Sequence, residues 1–118
     1  MLYRIPRTLW LLAFVICLVS VLTLALMKDP SNLLDTGWDK GNHVLAFTVL
    51  TFLGRMSFPA QRVLLLLGLL AYGALIENLQ FMTGYRFSEY QDLAADVVGM
   101  VLGYLLAIPV MRRLPEQF

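Results

Sequence analysis

Four stretches of the chain are apolar over most of their length, and short polar segments separate them. Thr8 to Met27 reads TLWLLAFVICLVSVLTLALM and carries no charge. About 20 mostly apolar residues suffice to cross a bilayer as a helix, so this run predicts a first span. A secretory signal is the alternative, because Arg4 and Arg7 precede the run. The run exceeds the roughly 7–15 residues of a signal core and no A-x-A site follows, so a retained helix is expected. The second span is expected from about Asn42 to Phe58, with a short apolar core at Val44–Gly54 and Arg55 near its end, placed to snorkel to the headgroups. The third runs from Val63 to about Met82 and the fourth from about Glu89 to Met111. Ser88 begins a capping-box pattern with Gln91, and Glu89 lies in the first turn, where the helix dipole favours an acid. The pattern therefore predicts an all-α, polytopic four-transmembrane-helix bundle, in a single domain over residues 1–118.

The charges orient these spans. Arg4, Arg7, Arg55, Arg62, Arg112 and Arg113, six of the nine basic residues, fall on one side. The positive-inside rule puts both termini and the 55–62 connection in the cytoplasm, with segments 28–41 and 83–88 outside. Composition agrees with membrane residence: 59% of the 118 residues are hydrophobic and 14% charged, and the mean hydropathy is +0.73. Soluble domains hold about 25% charged residues. A net charge of +1 gives no basic face for nucleic acid. The single cysteine, Cys17, has no partner for an internal disulfide.

Against this apolar background, ENLQFMTGYRFSEYQDLAAD (residues 77–96) concentrates ionisable groups, some of them inside spans. At about 1.5 Å rise per residue, Glu77 lies about 9 Å inside the outer end of span three. Asp96 lies roughly 12 Å along span four from Ser88, and His43 sits at the outer mouth of span two. Three helices thus bring polar groups to one depth in the outer half of the bilayer. Seven of the eight acids fall in that half or in the outer segments; Glu116 is the exception. Helical periodicity puts His43, Ala46, Phe47 and Leu50 on one face, and Gly73, Glu77 and Gln80 on another. Asp92, Ala95, Asp96, Gly99 and Gly103 share a face of span four. Ala95, Gly99, Gly103 and Ala107 recur every four residues as a small-xxx-small packing ladder, for internal packing or for a homo-oligomer seam. Trp38, Tyr85 and Tyr90 read as interfacial anchors.

The pieces DKGNHVLAF, ENLQ and YRFSEYQDLAADVVGMVLG, in that order, resemble the VanZ-like family of small bacterial membrane proteins. The matching positions are Asp39, Lys40, His43, Phe47, Glu77, Gln80, Arg86, Asp92, Gly99 and Gly103, within about residues 38–107. Asp96 departs from the family pattern, which more often has Asn there and so no charge. The resemblance implies a multi-pass protein of the bacterial cytoplasmic (inner) membrane and an association with resistance to the glycopeptide teicoplanin.

Several readings of the cluster stay open. Lys40, His43, Glu77, Gln80, Arg86, Asp92 and Asp96 are the ligand-binding candidates. The leading reading is an outer-leaflet polar pocket that recognises or modifies a membrane lipid or lipid-linked envelope precursor. Arg86 suits a phosphate or carboxylate through its planar fork, or neutralises Asp92. A membrane hydrolase or transferase is the alternative, with His43, Glu77, Asp92 and Asp96 as catalytic candidates, since paired carboxylates create acid and base forms. A small transporter is a third reading, although small multidrug exporters carry their key acid in the first helix. A fourth makes the cluster a polar lock on the bundle, for which membrane hydrogen bonds return little. No cofactor is predicted; a divalent metal is compatible with the His and carboxylate set, though no compact motif such as HExxH marks one.

Overall fold

A computed structural model describes residues 5–26, 39–83 and 90–113, without the side chains of Asp39, Lys40, Thr83, Tyr90, Gln91 and Asp92. Four helices make up the described chain: α1 (Arg7–Leu26), α2 (Asp39–Ser57), α3 (Arg62–Thr83) and α4 (Tyr90–Arg113). No strand occurs among the described residues. The bounds lie within three residues of those expected from the apolar pattern. Local chemistry sets several of them. Pro6 precedes α1, and its carbonyl accepts from the Leu9 amide at 3.0 Å. The α2–α3 turn falls at Phe58-Pro59, where the proline ring disfavours helical backbone at the preceding residue. Phe58 N still donates to Gly54 O at 2.8 Å, and Leu65 N opens α3 on Gln61 O at 2.9 Å.

The helices run up and down. The Arg7 guanidinium, at the start of α1, donates through Nε to Ser57 O at the end of α2, at 2.8 Å. Arg55 of α2 lies over the ring of Tyr104 in α4, 4.9 Å from its centroid, and approaches Met111 Sδ at 3.7 Å. At the other end, His43 of α2 meets Asp96 of α4, and Gln80 of α3 meets Ala25 of α1.

The most extensive packing joins α2 to α4, followed by α1 with α2; α3 touches the other three more sparingly. Gly99 and Gly103 explain the close pair. A Cβ on Gly99 would stand 2.5 Å from Val44 O and 2.9 Å from Phe47 Cβ. On Gly103 it would strike the Thr48 carbonyl oxygen and stand 2.8 Å from Thr51 Cβ. The backbones of α2 and α4 therefore touch, as small residues allow between membrane helices. Ala95 and Ala107 are buried on the same α4 seam. Phe14, Phe47, Leu50, Leu65, Leu69 and Met100 form the apolar core. Phe14 adds an edge contact to Phe58 at 5.9 Å between centroids.

Three helices, α1, α3 and α4, are long and apolar enough to cross a membrane. Their outward faces agree. Leu9, Leu12, Val15, Ile16 and Val19 of α1 are each more than half exposed, as are Val63, Leu64 and Leu67 of α3. An apolar surface this continuous is stable against lipid and not against water. By the same measure α2 is not apolar enough on its own. It is the sheltered helix: Phe47, Leu50, Thr51, Gly54, Arg55, Met56 and Ser57 are all buried. A helix surrounded by others has less contact with lipid, so its composition is freer.

Arg55 differs from its expected position. It does not snorkel but is buried, donating through one guanidinium nitrogen to Pro59 O at 3.0 Å while lying over Tyr104. The partners that hold it come from the turn and from α4, whose contacts no local pattern encodes.

Candidate functional site

His43, Glu77 and Asp96 converge from α2, α3 and α4 at the end of the bundle opposite Arg7 and Arg55. One potential donor atom from each lies within 4.8 Å of the others. His43 Nδ1 and Asp96 Oδ1 are 2.8 Å apart. An ionised carboxylate only accepts, so Nδ1 is the donor, and Nε2 carries the lone pair when the imidazole is neutral. Asp96 is buried at 1% exposure, and its other oxygen, Oδ2, accepts no hydrogen bond among the described residues. Buried carboxylate oxygens are ordinarily satisfied, so this atom is an exception that calls for a reason. The His43 side chain is 11% exposed and Glu77 is partly buried with Oε1 enclosed, so the cluster is largely shielded.

Each helix reaches this point for a local reason. On α4, Asp96 follows Ala95 and precedes Gly99, so the seam that brings α4 onto α2 also carries the carboxylate to His43. On α3, Gly73 lies one turn before Glu77. A Cβ at Gly73 would stand 2.8 Å from Asp96 Oδ2 and 3.4 Å from Phe47 Cζ. Glycine here lets the α3 backbone approach the carboxylate. Sequence reading puts Gly73 on the Glu77 face but gives it no role; the signal was its one-turn offset from an intramembrane acid.

The remaining candidates divide. Gln80 is buried at 1% exposure, and its amide nitrogen donates to Ala25 O in the last turn of α1 at 2.9 Å. That bond satisfies a carbonyl that the helix end leaves over and ties α1 to α3. Lys40 begins α2 and Asp92 lies in the first turn of α4, but their side chains lie outside the described residues, as does Arg86 entirely. Ala95, Gly99, Gly103 and Ala107 face α2 or are buried beside it, as given above.

Elsewhere, a cavity of about 290 Å³ between α1 and α3 is lined by apolar side chains including Phe14, Leu18, Leu65 and Leu69. Tyr72 closes it, with its hydroxyl donating to Leu18 O. No ionisable acid or histidine lines that cavity. The His43–Glu77–Asp96 cluster differs in chemistry: an imidazole and two carboxylates can exchange protons, accept hydrogen bonds from a hydroxyl or ammonium group, or bind a cation.

The VanZ/LLP1 family model matches residues 9–112. The match begins within α1, so it takes in the helix that lies outside the 38–107 resemblance. No curated protein and no solved structure matches the chain. The family match spans nearly the whole sequence and all four helices, and the chain belongs to the VanZ/LLP1 family.

Proposed function

We propose that the chain crosses a bacterial cytoplasmic membrane four times, with both termini in the cytoplasm. The His43–Glu77–Asp96 end of the bundle then forms a pocket in the outer leaflet. That pocket recognises or modifies a membrane lipid or lipid-linked envelope molecule. The observation that carries this reading is the convergence of an imidazole and two carboxylates from three helices, within 4.8 Å, in an otherwise apolar bundle. Ionisable groups inside membrane segments are costly to place, and they mark functional sites by default.

Two further facts support the orientation. The basic residues Arg7, Arg55, Arg62, Arg112 and Arg113 lie at helix ends remote from the cluster. The 19 residues of α2 reach about 28 Å at the helical rise, close to the roughly 30 Å of a hydrocarbon core. Packed along α4, α2 spans the same thickness as its partner.

The 2.8 Å contact between His43 and Asp96 favours a second reading, a hydrolase or transferase acting on the same molecule. A carboxylate that orients an imidazole is a common element of general-base chemistry. The family resemblance extends either reading to teicoplanin-type resistance.

Two measurements test this. In a Cys17→Ser background, Thr36→Cys should react with an impermeant thiol reagent on intact cells, and Ala60→Cys should not. The reverse pattern would overturn the orientation. Lipids retained by the purified protein should be lost in Glu77→Gln at unchanged melting temperature, with a parallel change in envelope-drug susceptibility. An unaltered lipid complement and unaltered susceptibility would overturn the pocket.

A further inference from the structure

We propose that His43, Glu77 and Asp96 bind one divalent transition-metal ion of the zinc type. The inference rests on the pocket reading above, because the ion would be that pocket's chemical centre. The donor set is one imidazole nitrogen and two carboxylate oxygens, a combination that suits zinc and its first-row neighbours. Three protein ligands on separate helices leave a fourth position for water or a ligand oxygen, as at catalytic zinc sites.

The distances are close to what an ion requires. Ligand atoms about 2.1 Å from a common zinc in tetrahedral geometry stand about 3.4 Å apart. The His43–Asp96 pair is at 2.8 Å and the full set is within 4.8 Å. Closing the set would need side-chain shifts of about an ångström, the scale of small χ rotations.

A separate observation points to a bound group. Asp96 is 1% exposed, and Oδ2 accepts no hydrogen bond among the described residues. The oxygen faces the α3 backbone at Gly73, on the same side as Glu77. A carboxylate oxygen in such a place is either protonated or satisfied by a cation. An ion held between Asp96 and Glu77 satisfies it. Ligation through Nδ1 would shift the neutral imidazole's one proton from Nδ1 to Nε2, because the ligating nitrogen must be unprotonated.

The test uses the full chain purified in detergent, stripped with a chelator and titrated with zinc chloride against a chromophoric competitor. One zinc per chain is expected by elemental analysis, with a higher melting temperature in the loaded protein. Asp96→Asn and Glu77→Gln preserve shape, and each should weaken zinc binding about ten- to a hundredfold. Their melting temperatures without metal show that the fold is intact; if either fails to fold, His43→Gln replaces it. Absence of saturable one-to-one uptake by the wild type would overturn the proposal, and so would unchanged affinity in folded Asp96→Asn. Lipid retention, measured on the same samples, separates the two readings. Lipid lost in Glu77→Gln without zinc uptake by the wild type removes the metal and leaves the pocket. Zinc uptake with an unaltered lipid complement supports the metal and removes the lipid pocket.

Discussion

The two ends of the bundle handle charge in opposite ways. At the basic end, the guanidiniums of Arg7 and Arg55 each meet a backbone carbonyl and an aromatic ring. Arg7 donates to Ser57 O and lies 5.6 Å from the Phe58 ring centroid. Arg55 donates to Pro59 O and lies over Tyr104. At the other end the ionisable groups meet one another, and among the described residues Asp96 Oδ2 accepts no hydrogen bond. Cations at the carboxyl ends of helices and turns satisfy carbonyls left over by helix geometry, which stabilises the fold. At the acidic end the unmet acceptor capacity among the described residues is on Asp96 Oδ2. One end completes the structure, and the other gathers an imidazole and two carboxylates against one another.

Substitutions can break or sharpen that contrast. The largest effect is expected from Gly103→Val, because both ends depend on the α2–α4 seam. The added side chain would collide with the Thr48 carbonyl. Loss of about 3 kcal/mol is expected, as at the upper end of overpacking penalties, read as a lower denaturation midpoint in detergent. Next comes Arg55→Ala. It removes a buried charge-assisted hydrogen bond and a cation–π contact, worth about 2 kcal/mol together. It should leave lipid and metal binding by the folded fraction unchanged. A binding defect at normal stability would erase the division between the ends.

A smaller loss is expected from Gln80→Ala, about 1 kcal/mol, for the bond to Ala25 O. The smallest stability change belongs to Asp96→Asn, under about 1 kcal/mol, because the amide oxygen can still accept from His43. Thermal melts beside binding measurements should show that variant nearly as stable as the wild type and functionally impaired. Instability instead would make the acidic end a structural lock like the basic one.

Much of this was legible in the sequence, and the exceptions have a common cause. Three helices were readable as long apolar runs with polar boundaries, and α2 from its shorter apolar core at Val44–Gly54. His43, Glu77 and Asp96 were readable as a group because helical rise and face periodicity fix depth and direction within each span. The Ala95–Gly99–Gly103–Ala107 ladder was readable as a seam, but not which helix it meets. Arg55 was misplaced because its burial depends on Tyr104 and Met111, about fifty residues later. Gln80 had an acidic neighbour in sequence and turned out to donate to α1. Gly73 was visible as a small residue, but only the position of Asp96 shows what its missing side chain makes room for. In each case periodicity reports on one helix, and the role is set by another.

The modest apolarity of α2 has a consequence for how the protein is made. A segment whose buried face includes Thr51, Arg55 and Ser57 partitions poorly into lipid by itself. Its chief partner, α4, begins only at Tyr90. In the proposed four-span arrangement, α2 would therefore enter the membrane sheltered by α1 and, once it emerges, by α4. Chains that stop before α4 should leave it stranded outside the bilayer and become substrates for quality-control proteases.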